Sequence, residues 1–294
     1  MANPLFVLVT GATGKQGGAL ARLLLKKGHR VRAFTRNPNS PAAEELKRLG
    51  AELVVDSFED RTAIERAAQG TDAIFAMSTP FESGTEAETR QGITVANAAK
   101  AAGTRHLVFN SVASADRNTG IPHFDSKYKI EQHIASLDMP HTIIGPVFFM
   151  ENLISSWWFP ALQEGNLPMA LPNTRKLHQI AVENIAEFTL VVMERREQFL
   201  GKRVDIASDE LTGKQVVDVL SRVSGRKIEY VELPLEQLQA SNEDFAKMFE
   251  WFDRVGYTVD IAALRRNYPE VNWCTFEDWA KAQNWNALKR AEAP

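Results

Sequence analysis

Over the first 150 residues, short apolar, β-branched runs take turns with stretches of helical period, and few folds accommodate that alternation. Residues 5–10 read as a buried strand. Residues 16–27 then place Leu20, Leu23 and Leu24 on one helical face, and Gly28 ends the helix. The pattern repeats, with strands expected at 30–35, 52–55, 73–77, 106–110 and 142–144 and helices at 41–49, 60–69, 86–102 and 125–137. Pro41 near a helix start and Gly50, Gly70 and Gly103 beyond helix ends punctuate these units. Strands separated by helices of this length join through right-handed βαβ crossovers into a mostly parallel sheet covered on both faces. The fold class is therefore α/β, a doubly wound parallel sheet. Ligands on such sheets bind beyond the carboxyl ends of the strands, where the strand order reverses.

Beyond residue 150 the period loosens. Residues 152–171, with Trp157, Trp158, Pro160 and Pro168, read as a helix plus an irregular segment. Residues 182–197 are helical, 203–206 strand-like, 212–223 a helix stopped by Gly225, and 227–231 a strand. From residue 235 onward the chain is helix-rich and holds Phe245, Phe249, Trp251, Phe252, Trp273, Trp279 and Trp285, which are expected to be core. A length of 294 residues allows a second domain. The division expected is 1–152, with returning segments near 177–207, for the sheet domain, and 153–176 with 208–294 for a smaller C-terminal α/β lobe.

The sharpest motif is Val9-Thr10-Gly11-Ala12-Thr13-Gly14-Lys15-Gln16-Gly17, at the first strand-to-helix junction. Its spacing is G-x-x-G-x-x-G. Gly11 permits the tight turn, Gly14 lets backbone amides approach a pyrophosphate, and Gly17 lets the helix pack closely on the strand. The helix N-terminus supplies amides and a positive dipole end for the anion. The sheet is therefore expected to be of Rossmann type and to bind a dinucleotide, with Thr13, Lys15 and Gln16 lining the turn. After the second strand, where NAD sites place an acid for the ribose 2′-hydroxyl, the chain reads Phe34-Thr35-Arg36-Asn37-Pro38. A guanidinium suits a 2′-phosphate, so Arg36 argues for NADP(H). Other strand ends nominate Ser57 and Phe58 beside the adenine and Ser78, Thr79 and Pro80, with Phe81, beside the central ribose and phosphates. Pro146, Phe148 and Phe149 are expected as an apolar wall toward the nicotinamide.

Composition narrows the partners. Net charge is −3 and Lys and Arg form no basic stripe, so neither nucleic acid nor an anionic membrane surface is expected. No apolar run approaches about 18 residues, and the first ten residues lack the basic start and cleavage site of a signal peptide. Cys274 is the one cysteine, which excludes an internal disulfide framework and suits a reducing, cytoplasmic setting. His106, His123, His133, His141 and His178 lack metal-ligand spacing, so no metal site is expected. The glycine turn lacks the P-loop frame, and no G-x-S-x-G elbow occurs.

Thr10-Gly11-Ala12-Thr13-Gly14-Lys15-Gln16-Gly17-Gly18 and Thr35-Arg36-Asn37-Pro38 resemble the atypical short-chain dehydrogenase/reductases. His123-Phe124-Asp125-Ser126-Lys127 and Pro146-Val147-Phe148-Phe149-Met150-Glu151-Asn152-Leu153 make the resemblance one to their NmrA-like branch, over nearly the whole chain. The resemblance implies NADP(H) as cofactor and either of two roles: a cofactor-sensing regulator that binds other proteins, or an NADPH-dependent reductase of quinones and dyes. It also implies a Ser, a Tyr and a Lys spaced Y-x-x-x-K, the Lys on the nicotinamide ribose and the Tyr as proton donor. Here Lys127 stands at the Lys position, Ser111 near the Ser position, and His123 where the Tyr is expected. Tyr128 lies about 100° around the helix from Lys127 and is a poor replacement. His123 favours the regulator with little turnover. Phe81, Phe148, Phe149, Trp157 and Trp158 favour hydride transfer to a planar electrophile on which they stack. The chain is expected to act as a monomer or homodimer.

Overall fold

The expected alternation is built as a doubly wound sheet in the computed structural model, which describes residues 3–289. In chain order come β1 (Phe6–Val9), α1 (Lys15–Lys26), β2 (Arg30–Thr35), α2 (Pro41–Arg48), β3 (Glu52–Val55) and α3 (Arg61–Ala68). Next are β4 (Ala73–Met77), α4 (Gly84–Ala101), β5 (Leu107–Asn110), α5 (Pro122–Ser136) and β6 (His141–Pro146). The chain continues with β7 (Phe148–Phe149), α6 (Phe159–Gln163), β8 (Asn166–Met169), β9 (Lys176–Ile180), α7 (Val182–Glu194), α8 (Arg196–Phe199) and β10 (Lys202–Ile206). It ends with β11 (Asp209–Thr212), α9 (Gly213–Ser224), β12 (Glu229–Glu232), α10 (Leu235–Ser241), α11 (Glu243–Arg254), α12 (Ile261–Asn267), α13 (Phe276–Ala282) and α14 (Asn286–Lys289).

The chain divides into two compact units. One runs up to Pro146 and takes in Ile185–Asp205; the other is Val147–Asn184 with the chain from Ile206 onward. In the first, a seven-stranded sheet has the order β10-β6-β5-β4-β1-β2-β3. The pairings β1 with β2 and β4, β2 with β3, and β5 with β4 and β6 are parallel. From β1 the chain winds outward to β3, then returns to β4 on the other side of β1. The order therefore reverses between β1 and β4, and their carboxyl ends open a crevice. Leu8, Phe34, Ile74 and Phe109 from the strands pack with Ile64, Val95, Ile130 and Ile134 from helices in one buried core. Removing a buried Leu or Ile side chain from such a core costs about 2–5 kcal/mol. α5 begins three residues before the expected start, because Pro122 takes the first helical position, where its missing N–H is no loss.

The second unit holds two small sheets, β11-β9-β7 and β12-β8. β9 pairs antiparallel with β11 and parallel with β7, and β8 runs parallel to β12. Of these strands only β12 was expected from the sequence, and β8 contains Pro168, which is tolerated in a two-stranded ribbon with a free edge. Of the late aromatics expected as core, Phe249, Phe252, Trp279 and Trp285 are buried, while Phe245, Trp251 and Trp273 are half-buried. Phe252 meets Phe249 edge-on at 5.7 Å.

Candidate functional site

The glycine turn lies at the end of β1. Gly11 has φ +59°, and a Cβ there would lie 2.8 Å from the Met77 sulfur. A Cβ on Gly17 would run into backbone, 2.7 Å from the Thr10 oxygen, so close contact between α1 and β1 requires glycine. Gly14, the N-cap of α1, is more open, with only the Gly11 oxygen near, at 3.3 Å. The N-cap, Gly14, has no side chain with which to close α1, and no acid stands in the first turn of the helix. That arrangement suits an anion. Thr13 and Thr35 bring their hydroxyls to 3.4 Å, tying the turn to β2. Lys15, the first residue of α1, is exposed. Gln16 accepts a short hydrogen bond from Asn110 at the end of β5. The buried Asn110 Oδ1 has no hydrogen-bond partner among the described residues. Asn110 escaped the sequence reading, although a polar residue closing an apolar strand is a usable signal.

Arg36 is exposed just past β2 and makes a two-pronged ion pair with Glu82, Nη2 to Oε1 at 2.9 Å and Nη1 to Oε2 at 2.8 Å. The acid missing after β2 in the sequence is thus delivered by the loop after β4, 46 residues on. Ser57 and Phe58 face their own turn and the core. The Ser57 hydroxyl accepts from the Glu59 amide, and Phe58 stacks on Phe34 at 5.7 Å with 6° between the planes, so one ring face is already covered.

Lys127 lies on α5. Its ammonium donates to Glu88 Oε1 at 2.7 Å and to the Ser78 carbonyl at 2.9 Å, using two of its three N–H donors. Glu88 is fully buried and also accepts from the hydroxyls of Ser126 and, at 3.2 Å, Ser78. The sequence reading missed Glu88, because the surrounding Glu and Thr residues read as a solvated helix face. Its spacing to Gly92, Val95 and Ala99, all on the buried face of α4, was the available signal. Thr79 accepts from the Phe81 amide at 3.4 Å and the Pro80 carbonyl from the Gly84 amide at 2.8 Å, shaping the loop.

One helical turn before Lys127, His123 is buried edge-on against Phe124 at 4.8 Å, with the exposed Phe81 ring tilted over it at 6.0 Å. Ser111 belongs to a different cluster. Its hydroxyl donates a short bond to Glu131, which meets Arg203 at 3.1 Å, and Arg203 pairs with Asp205 in turn. Burial pushes the Glu131 and Asp205 carboxyls above their ordinary range, against the pull of Arg203. Ser111, His123 and Lys127 therefore share the carboxyl-end side of the sheet, but the hydrogen bonds of Ser111 and Lys127 lead into separate networks.

The residues expected as an apolar wall pack in different surroundings. Pro146 ends β6, its carbonyl accepting from the Ala113 amide at 3.0 Å. Phe148 and Trp158 are buried on each other at 5.7 Å, and Phe148 also packs on Phe252, so they are core of the second unit. Apolar rings gain more from mutual burial than from lining an open face. Phe149 is held in β7 by pairing with Ile180. Trp157 is exposed and meets Phe245 edge-on at 5.4 Å.

Glu151 turns out to be a structural anchor of the second unit. Its oxygens accept from the Trp279 indole at 2.8 Å and the Val182 amide at 3.1 Å, and burial pushes its pKa up to about 7. The Cys274 thiol lies 3.2 Å from the Asn184 side-chain oxygen, and burial pushes its pKa up to about 12, which makes it a poor nucleophile. Among the described residues no group of three or more His, Cys, Asp or Glu is placed to hold a metal ion, and no helix is long and apolar enough to cross a membrane.

The model of the NmrA-like family matches residues 5–285. This chain belongs to the NmrA-like family. An NmrA-like family domain-containing protein of Dictyostelium discoideum is 29% identical over 95% of this chain and 98% of its own length. The crystal structure of NmrA, a negative transcriptional regulator, in complex with NADP superposes with a TM-score of 0.79 at 20% identity, covering 99% of both chains. Triphenylmethane reductase of Citrobacter sp., complexed with NADP(H), gives 0.76 at 17% identity over 98% of this chain and 99% of that one. At these identities the two structures show a shared fold.

Proposed function

We propose that this NmrA-like protein binds NADP(H) at the glycine turn and acts as a cofactor-sensing regulator with little or no dehydrogenase turnover. Gly11, Gly14 and Gly17 leave backbone room for a pyrophosphate, and the start of α1, with a glycine N-cap and no acid in its first turn, presents it the positive end of the helix. Arg36 stands where a 2′-phosphate would be read, and Asn110 adds an unsatisfied acceptor beside Gln16. The coenzyme, when bound, supplies hydride chemistry. One observation carries the regulator reading: the residues that would run that chemistry are already engaged. Lys127 holds Glu88 and the Ser78 carbonyl, Ser111 donates to Glu131, and His123 replaces the tyrosine. Lys127 keeps one donor for the nicotinamide ribose, which supports binding more than proton transfer. The NADP and NADP(H) complexes of the two structural neighbours support the same coenzyme.

A second reading rests on Phe81. An exposed ring tilted over His123 offers an apolar face and a proton donor to a planar acceptor, as in NADPH-dependent reduction of quinones or related conjugated acceptors. Fluorescence titration with NADPH, followed by absorbance assays against a quinone and enone panel, separates the two. The regulator reading expects binding without protein-dependent loss of NADPH, and weaker binding by Lys127→Ala. Protein-dependent turnover overturns it in favour of the reductase; no binding overturns both.

A further inference from the structure

β1 lies between β2 and β4, so residues just past β2 and in the loop past β4 meet across the carboxyl end of β1, where the glycine turn begins. Arg36 and Glu82 meet there. Both carboxylate oxygens engage the two terminal nitrogens of the guanidinium, at 2.9 and 2.8 Å. This fork is the geometry with which arginine also holds a phosphate. Both side chains are exposed, at 65% and 53%, so neither is fixed in place by burial. An exposed ion pair is weak, and a stronger anion can take Arg36 from Glu82.

We propose that Glu82 is the coenzyme-selectivity residue of this chain. It holds Arg36 as an internal stand-in for the 2′-phosphate, competes with that phosphate for the guanidinium, and accepts the 2′-hydroxyl when the phosphate is absent. The proposal rests on the NADP(H) site proposed above. A nucleotide with a 2′-phosphate must displace a carboxylate and then lie beside it, like charge against like charge. A nucleotide with a free 2′-hydroxyl meets the acid that its ribose requires. Arg36 alone would favour the phosphate strongly; Glu82 narrows the difference.

The test titrates purified wild type and Glu82→Gln with NADPH and with NADH, at low salt and at about 0.5 M salt, where exposed charges are largely screened. Removing one exposed like charge is expected to tighten NADPH about three- to tenfold and to weaken NADH, so that the ratio of the two Kd values widens. The gain shrinks at high salt. An unchanged ratio, in a protein that binds NADPH, overturns the role of Glu82 and leaves the coenzyme site standing. A widened ratio indifferent to salt overturns the electrostatic competition. If wild type binds neither nucleotide, the site and its selector fall together.

Discussion

His106 in the first unit and Glu151 in the second are both buried, and burial moves them in opposite directions. His106 is pushed down to about 4 and Glu151 up to about 7. The cause is the same, since burial penalises whichever form is charged. The nearby Arg196 adds to the shift of His106, whereas the indole and amide donors on Glu151 only partly oppose its burial. A third buried group in the first unit takes another route: Glu88 is matched by the ammonium of Lys127. The contrast is one of partners: Glu151 meets neutral donors, which fill its lone pairs but bring no counter-charge, whereas Glu88 meets an ammonium that brings one. His106, Glu151 and the Glu88–Lys127 pair should therefore answer acid, base and mutation differently.

The largest effect is expected from breaking the Glu88–Lys127 pair. Glu88→Gln leaves an ammonium buried without its counter-charge, and Lys127→Met leaves a carboxylate so. Each should destabilise by about 3–5 kcal/mol in urea unfolding, and the double variant should recover most of that loss. Two single losses that simply add would show that the pair is not coupled.

Titration separates His106 from Glu151 next. The folded state of His106 resists protonation, so its contribution is present above the unfolded value of 6.5 and is lost as pH falls toward 4. Glu151 has the reverse sign. Its folded state holds the proton better than an ordinary carboxyl near 4.5, so its contribution is present at low pH and is lost as pH rises through about 7. Between pH 5 and 7 each changes stability by about 2 kcal/mol, and the two contributions nearly cancel. Glu151→Gln should therefore expose a stability that climbs with pH, and His106→Gln one that falls. Parallel curves for the two variants would refute the opposed shifts.

The same residues show what the sequence makes legible. β1, β4, β5 and β6 were readable because strands buried on both faces are continuous apolar runs, and Gly11 and Gly17 were readable because each meets a local steric demand. Glu88 was hidden by its neighbours along α4, since burial there depends on α5 packing over it. Glu151 lay inside a motif that pointed to the family, but its partners stand 31 and 128 residues away. Arg36 drew attention for the acid that did not follow β2, while its acid came from beyond β4. Side chains whose role depends on a distant partner are invisible to spacing. β8 and β9 were hidden for another reason: two-sided polarity and Pro168 erase the alternation by which strands are recognised.

The smallest expected effect probes how far neutral donors can hold a charge. The Trp279 indole donates to Glu151 at 2.8 Å, and its ring packs on Phe276 and Trp285. Trp279→Phe keeps an aromatic ring and deletes the donor. At pH 5 Glu151 is protonated, and the loss is that of a neutral hydrogen bond plus some volume. At pH 8 it is ionised, and a bond to a charged acceptor is lost, which is worth about 1 kcal/mol more. The hydrogen bond favours the ionised form, so its removal should also move the Glu151 titration above its present value near 7. The destabilisation measured by urea unfolding should thus grow by about 1 kcal/mol from pH 5 to pH 8, and this growth should vanish in a Glu151→Gln background. A loss of equal size at both pH values would mean that the indole only fills space, and that burial alone sets the charge of Glu151.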